Sequence, residues 1–285
     1  MFILTVLISR AFTKAFFPGN IMSRVRNGKI TQEVKVLPRH EKSPLGIEYV
    51  EINIEGSNTM ILVSHGQQRT LDQKSVDQWR TWGTEWGLSI LLHNYPGYGN
   101  TPGPVTEDRI MADLEKLVEM LRDKSWEEEQ ICLLGNSAGC GPTIALAARE
   151  KYRFKKVVLI SAYTSCFAWG PNWISFMRGS RFDVFVSTEI MDKLRDRQVL
   201  MVCGKVDTVI PYSNSEYLFG LLGKHSKNHK KNRLCTLPKG NHAYTRLKAM
   251  KAIAYFVNDA TQLLAEELQT LEEGISLEPQ NSYLD

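Results

Sequence analysis

The chain lacks the sequence features that mark several classes of protein. Its five cysteines are scattered, and none belongs to a CxxC pair or to a Cys/His cluster with zinc-ligand spacing, so no structural metal site is expected. Basic residues do not alternate with aromatic ones, and a net charge of +4 is small for 285 residues. Nucleic acid is therefore not an expected partner. Unpaired thiols favour a reducing, cytoplasmic location.

The N-terminal segment, which we place at residues 1–28, lacks acidic side chains but carries several basic ones. Its first apolar stretch, Met1–Leu7, is too short to span a bilayer and has no secretory cleavage site. Seven apolar residues would form one side of an interfacial helix: Phe2, Ile3, Val6, Leu7, Phe12, Phe16 and Phe17. Two interpretations stay open. The segment contacts a membrane surface, with the protein peripheral on it, or it packs on the domain or frays.

The rest of the chain is typical of one α/β domain, placed at residues 29–268 with a C-terminal tail at residues 269–285. Two alternating stretches, residues 33–37 and 47–54, predict antiparallel strands. Later apolar runs are typical of strands buried on both faces: Thr59–Val63, Leu88–Leu92, Ile131–Leu134, Lys156–Ile160, Val199–Val202 and Leu234–Leu237. Because helical patterns separate these runs, the sequence predicts a mainly parallel sheet with helices on both faces.

The central motif is the sequence Gly-Asn-Ser-Ala-Gly at residues 135–139, which lies between an apolar run and a helical pattern. A G-x-S-x-G pattern in this context is typical of a nucleophile elbow, with Ser137 at a strained turn. A side chain at Gly135 or Gly139 is expected to collide with the neighbouring strand and helix. Ligands of such sheets gather beyond the carboxyl ends of the strands. Several chemically active residues follow strand ends here: His65, Tyr95, Ser137, Ser161 and Asp207.

A serine hydroxyl needs a histidine to take its proton and a carboxylate to hold that histidine. Asp207 and His242 each follow a buried run, and they come after Ser137 in the chain. Alone, the aspartate would be interpreted as a turn residue and the histidine as a helix cap or surface residue. Together with the elbow they favour a catalytic triad. The oxyanion hole is then expected to use the backbone N–H groups of Ala138 and Gln67.

Five motifs occur in order along the chain. They are Ser64-His65-Gly66, Tyr95-x-Gly97-Tyr98-Gly99, Gly135-x-Ser137-x-Gly139, Gly204-x-x-Asp207-x-x-Ile210-Pro211 and Gly240-x-His242. From about Lys29 to the helix after His242, the chain resembles the lid-poor α/β-hydrolase-domain serine hydrolases, most closely the intracellular family that contains protein depalmitoylases. The resemblance implies the α/β-hydrolase fold, with Ser137 as nucleophile, Asp207 as acid and His242 as base. It also implies hydrolysis of an ester or thioester through an acyl-serine intermediate, without a cofactor or metal.

The chain departs from that family in three respects. It has no N-terminal cysteine cluster for its own acylation, and Asn94 stands where an aspartate is common. The third departure is a lengthened basic loop, Lys224–Arg233, which is interpreted either as a solvated loop or as a contact with anionic lipid headgroups. These departures bear on the substrate and leave the expected fold and chemistry unchanged.

The aromatic segment at residues 165–193 is the expected cap over the site, where an acyl group would bind; the alternative is a segment simply packed on the sheet. The candidate pocket residues are Tyr95, Phe167, Trp169, Trp173 and Phe176.

The resulting hypothesis is a serine hydrolase that acts on carboxylic esters or thioesters. Its expected substrates are S-acylated (palmitoylated) proteins or lipid-like esters at a membrane surface. Within enzymes, the alternative is a serine peptidase or general carboxylesterase of the same fold. A non-catalytic, hydrolase-fold binding protein is the alternative from another class. A complete triad disfavours it, because binding alone requires none of the three groups.

Overall fold

A computed structural model of the chain describes residues 13–14, 16–18, 32–39, 46–67, 71–169, 177–180, 182–223 and 230–273. Its strands are β1 (Lys35–Pro38), β2 (Gly46–Ile52), β3 (Met60–Ser64), β4 (Ser89–His93), β5 (Ile131–Asn136), β6 (Lys156–Ile160), β7 (Gln198–Gly204) and β8 (Arg233–Leu237). They form one sheet in the order β1-β2-β4-β3-β5-β6-β7-β8. Strand β2 is antiparallel to β1 and β4, and the remaining neighbours are parallel. The predicted mainly parallel sheet is confirmed.

Helices cover both faces of this sheet. The described helices are α1 (Gln73–Trp86), α2 (Glu107–Asp123), α3 (Cys140–Ala147), α4 (Cys166–Trp169), α5 (Tyr212–Leu221), α6 (His242–Val257) and α7 (Thr261–Glu273). Helices α2, α3 and α5 contribute to one hydrophobic cluster, and α1, α6 and α7 contribute to the other. Along β3, Leu62 packs into the first cluster and Ile61 into the second. Both faces are therefore buried, which explains why the strands appear in the sequence as continuous apolar runs.

Phe16 and Phe17 belong to the first cluster, and both are almost completely buried. The ring of Phe17 lies 5.2 Å from that of Tyr95 and 5.8 Å from that of Phe185, between centroids. Phe16 lies 6.2 Å from Phe167. For these two residues the structure therefore agrees with packing on the domain rather than with insertion into a membrane.

Several predicted segments fall wholly or partly outside the described residues. Residues 1–12 and 19–31 of the N-terminal region lie there, as do residues 224–229 of the basic loop and residues 274–285 of the tail. The predicted domain boundary at residue 268 falls inside α7, which ends at Glu273. None of the helices in the described part of the chain is long and apolar enough to cross a bilayer.

Candidate active site

Ser137 lies directly after β5, in a single 3-10 turn that leads into α3. Its φ of 54° is in the left-handed region, which few residues other than glycine adopt. A Cβ on Gly139 would lie 2.0 Å from the carbonyl oxygen of Ser64, and one on Gly135 would lie 2.8 Å from the Cα of Cys140. The predicted collisions with the neighbouring strand and helix are confirmed. The two glycines allow β5, β3 and α3 to approach closely enough to strain the serine.

His242 contacts both of its predicted partners. Its Nε2 lies 2.8 Å from Ser137 Oγ, and its Nδ1 lies 2.8 Å from Asp207 Oδ2. The histidine is the first residue of α6, whose cap is Asn241; the Asn241 side chain accepts a hydrogen bond from the Tyr244 N–H. Because the cap fixes where the helix begins, it also fixes where the imidazole leaves the backbone.

Asp207 is held by four donors. Its Oδ1 accepts hydrogen bonds from the N–H groups of Val209 and Ile210, both at 2.9 Å. Its Oδ2 accepts from His242 and, at 3.0 Å, from the hydroxyl of Ser161 at the end of β6. Burial by itself would raise the pKa of the Asp207 carboxyl, but the hydrogen bonds from His242 and the two amides outweigh it and lower the pKa. The carboxylate is therefore ionised at neutral pH.

The proton positions follow from this arrangement. An ionised carboxylate can only accept, so His242 carries a proton on Nδ1 and donates it to Asp207. In the neutral imidazole, Nε2 is then the acceptor, and the Ser137 hydroxyl donates to it. This arrangement permits Nε2 to take the serine proton as Oγ attacks a carbonyl carbon.

Comparisons with known proteins identify the fold. A family model described as the α/β-hydrolase fold matches residues 61–185, which include β3 to β6 and the elbow. A lidless α/β serine hydrolase from Xanthomonas campestris superposes with a TM-score of 0.55 at 16% identity, covering 82% of this chain and 98% of that one. The chain is an α/β-hydrolase-fold protein. Mouse α/β-hydrolase domain-containing protein 10 superposes with a TM-score of 0.55 at 14% identity and covers 81% of this chain and 99% of its own.

Two curated relatives match this chain at the sequence level. Human α/β-hydrolase domain-containing protein 17B is 31% identical over 160 residues, which cover 56% of this chain and 54% of that protein. Protein bem46 of Schizosaccharomyces pombe is 26% identical over 159 residues, or 52% of each chain. The chain thus matches about half the length of these relatives.

The loop predicted to supply an oxyanion donor lies beside Ser137, the predicted nucleophile. A Cβ on Gly66 would lie 3.5 Å from the Cβ of Ser137. The Nδ1 of His65 lies 2.8 Å from the Gly66 carbonyl oxygen, which can only accept, so the imidazole donates to it. This carbonyl belongs to the same peptide plane as the N–H of Gln67, the predicted donor. The ring of His65 therefore orients that donor.

Three tyrosines hold backbone carbonyl groups around the same site. The hydroxyl of Tyr95 donates to the carbonyl of His65 at 2.9 Å, and that of Tyr98 donates to the carbonyl of Gln67 at 2.8 Å. From the opposite side, the Tyr163 hydroxyl donates to the carbonyl of Ala138 at 3.1 Å. Each bond joins two different loops and holds a peptide that is the immediate neighbour of one carrying a predicted oxyanion donor.

The structure describes the side chains of only two of the five predicted pocket residues. Tyr95 and Phe167 are fully buried in the first hydrophobic cluster. Trp169 ends α4, and its side chain is not among those described, while Trp173 and Phe176 lie outside the described residues. A role for these aromatics in acyl binding stays a prediction. A small pocket borders the Gly66 loop, and its lining includes His65, Asn136, Leu71, Trp79 and Arg246.

Asn94, one of the departures noted in the sequence, belongs to a buried polar network centred on Glu48. The Glu48 carboxylate accepts from Asn94 Nδ2 at 2.8 Å and from the N–H and Nδ2 of Asn100 at 2.8 and 2.9 Å. It thereby holds both ends of the loop that carries Tyr95 and Tyr98. An aspartate at position 94 would place a second carboxylate against Glu48, so the amide suits this particular neighbour.

The five thiols are free and buried. Burial raises the pKa of Cys132 to about 12 and that of Cys203 to about 11. Since the thiolate is the reactive form, these groups are poor nucleophiles. Among the described residues there is no cluster of three or more His, Cys, Asp or Glu that could hold a metal ion.

Proposed function

We propose that the protein is a serine hydrolase that cleaves carboxylic esters or thioesters through an acyl-serine intermediate. The observation that carries the proposal is the continuous hydrogen-bonded path from Ser137 through His242 to Asp207, with both distances at 2.8 Å. The strained backbone at Ser137 and the fully satisfied carboxylate at Asp207 support it. The hydrolase fold and its serine-hydrolase neighbour agree with this chemistry.

The proposed reaction has two halves. Ser137 Oγ attacks the substrate carbonyl carbon while His242 Nε2 takes the hydroxyl proton, and the N–H groups of Gln67 and Ala138 bind the resulting oxyanion. His242 then gives its proton to the departing alcohol or thiol, which leaves the acyl group on the serine. Water, deprotonated by the same imidazole, releases the acid and restores the enzyme. No metal or cofactor enters either half.

We further propose S-acylated proteins or lipid-like esters as the substrates. The resemblance to the family that contains depalmitoylases supports this choice, and so does the aromatic content of the segment after Ser165. Residues 1–28, apart from the buried Phe16 and Phe17, are a proposed membrane contact, and the basic loop is a second one. A general carboxylesterase or serine peptidase of the same fold would share the triad and differ in the substrate it prefers.

A labelling experiment tests the nucleophile. A fluorophosphonate probe should label the wild-type protein and fail to label Ser137→Ala. Ser125→Ala is a matched control, because Ser125 also has a positive φ but lies on the surface after α2. Its labelling should be unchanged. Equal labelling of the Ser137→Ala variant would reject the assignment.

Turnover of a p-nitrophenyl ester tests the partners of the serine. His242→Ala should abolish turnover, and Asp207→Asn should lower kcat by about 10⁴-fold, as loss of a triad carboxylate does elsewhere. Near-normal rates in either variant would reject the triad. A panel of short esters, long-chain acyl thioesters and acylated peptides then separates the substrate classes. Preference for short esters over every acyl thioester would contradict the proposed substrates.

A further inference from the structure

We propose that the surface around the Asp207 and His242 loops docks on a lipid bilayer with anionic headgroups. We call it the mouth surface and define it by six residues: Lys205, Val206, Val209, Lys239, Tyr244 and Lys248. The benefit of docking rests on the proposed function, because docking at this surface would bring an acyl ester of the bilayer to Ser137. The binding itself can be measured without turnover.

Exposed apolar side chains are concentrated near this site. Seven large hydrophobic residues are exposed in the described part of the chain, and five of them lie between Val206 and Leu247. Val206 is 53% exposed and Val209 is 44% exposed, on either side of Asp207. Tyr244 lies two residues after His242, whose own side chain is 27% exposed. Clustered exposed apolar residues beside a catalytic histidine indicate an interaction surface rather than ordinary scatter.

Backbone contacts join the two loops into one surface. The N–H of Lys205 donates to the carbonyl of Leu237 at 2.9 Å, and that of Val206 donates to the carbonyl of Gly240 at 3.2 Å. On α6, the Lys248 ammonium lies 5.1 Å from the centroid of the Tyr244 ring. The loop that carries Val206 and Val209 is thus joined to the loop that carries Lys239 and leads into His242, Tyr244 and Lys248.

The charge of this region fits an anionic surface. Lys205, Lys239 and Lys248 are basic, and the segments that carry the mouth surface (residues 205–211 and 238–248) contain one acid, Asp207. Asp207 is buried and occupied by its four donors, so Glu216 on α5 is the acidic residue exposed near the mouth surface. Each lysine at an anionic bilayer strengthens binding by about fivefold. Tyrosine favours the headgroup level, and exposed valines add apolar area that the bilayer can bury. An acidic protein would also suit the lysines, but exposed valines at the tips favour a bilayer.

Vesicle sedimentation tests the charges, in a Ser137→Ala background that separates binding from hydrolysis. Binding should be at least tenfold tighter to vesicles with 30% phosphatidylserine than to phosphatidylcholine alone. Lys239→Glu should weaken binding by at least tenfold. Lys155→Glu is the control with the same change in net charge, since exposed Lys155 precedes β6 at the opposite end of the strands. It should change binding by less than threefold. Equal losses in both variants would reject the mouth surface, as would an absence of binding.

Fluorescence tests whether the exposed valines of the mouth surface insert into the bilayer. The native thiols are buried, so an environment-sensitive fluorophore should react selectively with Val206→Cys. Its emission should shift to the blue when phosphatidylserine vesicles are added. Val36→Cys is the matched control, because Val36 is a similarly exposed valine on edge strand β1. A shift at neither position, or the same shift at both, would overturn the proposal.

Turnover of a soluble p-nitrophenyl ester distinguishes the two proposals. Lys239→Glu and Val206→Cys, tested with Ser137 intact, should keep this activity because neither side chain belongs to the triad or the oxyanion loop. A protein that binds vesicles but turns over no ester would reject the proposed function alone. A protein that turns over ester without binding vesicles would reject the docking surface alone.

Discussion

The imidazole of His65 donates from Nδ1 to the carbonyl oxygen of Gly66, 2.8 Å away. That carbonyl shares its peptide plane with the N–H of Gln67, so the ring fixes the direction in which the predicted oxyanion donor points. The ring is itself held, because Tyr95 packs 4.4 Å from it and donates a hydrogen bond to the His65 carbonyl. We therefore predict that the histidine positions the proposed oxyanion loop.

Replacing His65 should slow the chemical step more than it weakens substrate binding. His65→Phe keeps a ring but removes the Nδ1 donor, and we expect kcat to fall about tenfold with KM within a factor of two. The loss should be smaller than the 10²- to 10³-fold effect of deleting an oxyanion donor outright. Gln67→Ala is the control, because it keeps the backbone N–H and should leave kcat within about twofold. An unchanged kcat in His65→Phe would remove the positioning role.

Ser161 should act through the carboxylate that it contacts. Its hydroxyl donates to Asp207 Oδ2, and its φ of 52° is in the left-handed region. Ser161→Ala and Ser161→Gly both remove the donor, and only glycine relieves the backbone. We expect both to lower kcat/KM by about three- to tenfold, and Ser161→Gly to be the more stable of the two.

The pH profile separates this role from a structural one. Losing a donor to the ionised form raises the pKa of Asp207, so activity in both variants should be lost at a higher pH on the acid side. If the alanine variant is slow and the glycine variant is normal, backbone strain rather than the hydroxyl explains the effect.

Asn94→Asp should destabilise the fold at neutral pH. The new carboxylate would face Glu48 in a buried network, and we expect a loss of about 2 kcal/mol or more in the free energy of unfolding at pH 7. The loss should shrink near pH 4, where one carboxyl takes up a proton. Asn53→Asp is the control, since this asparagine is exposed after β2. Thermal unfolding of both variants at pH 7 and pH 4 measures the difference, and equal behaviour would contradict it.

His93 should make the protein sensitive to acid. Burial and the charge of His65 lower its pKa from 6.5 to about 3, and neither of its ring nitrogens has a hydrogen-bond partner among the described residues. Between these two pH values the unfolded chain binds a proton that the folded protein does not. The stabilisation is therefore complete above pH 6.5 and is lost as the pH falls towards 3.

A substitution isolates this contribution. In urea titrations, wild-type protein should lose up to about 1.4 kcal/mol of unfolding free energy per pH unit below 6.5, beyond the loss shown by His93→Leu. The two proteins should have the same slope above pH 7. Parallel slopes at all pH values would show that His93 is not the titrating group.

The sequence predicts the sheet and the triad because both depend on local patterns. Strands buried on both faces appear as apolar runs, and Ser137, Asp207 and His242 follow the ends of three of them. Neither α5 nor α7 is among the elements that the sequence predicts. The apolar side of α5 is short, and only Ser215 and Leu218 are buried along it.

The hydrogen bonds that support the site cannot be predicted without knowing the order of the strands in the sheet. Tyr98 is 31 residues from Gln67 in sequence, and Ser161 is 46 residues from Asp207. Both meet because β4 lies beside β3 and β6 beside β7, and hydrophobic periodicity does not specify that order. The sequence places Ser161 at a strand end but does not specify its partner. The partners of Tyr98 and Tyr163 are likewise specified only once the neighbouring loops are known.

The packing of Phe17 sets a constraint on synthesis. Its ring lies against Phe185, a residue translated 168 positions later, and against Tyr95 in between. At about 5 to 20 residues per second, the ribosome needs roughly ten to thirty seconds to bridge that interval. Two phenylalanines that belong in the finished core must wait in water, or on a chaperone, until most of the sheet exists. Refolding of the full-length chain and folding during translation should therefore differ most in the handling of these first aromatic residues.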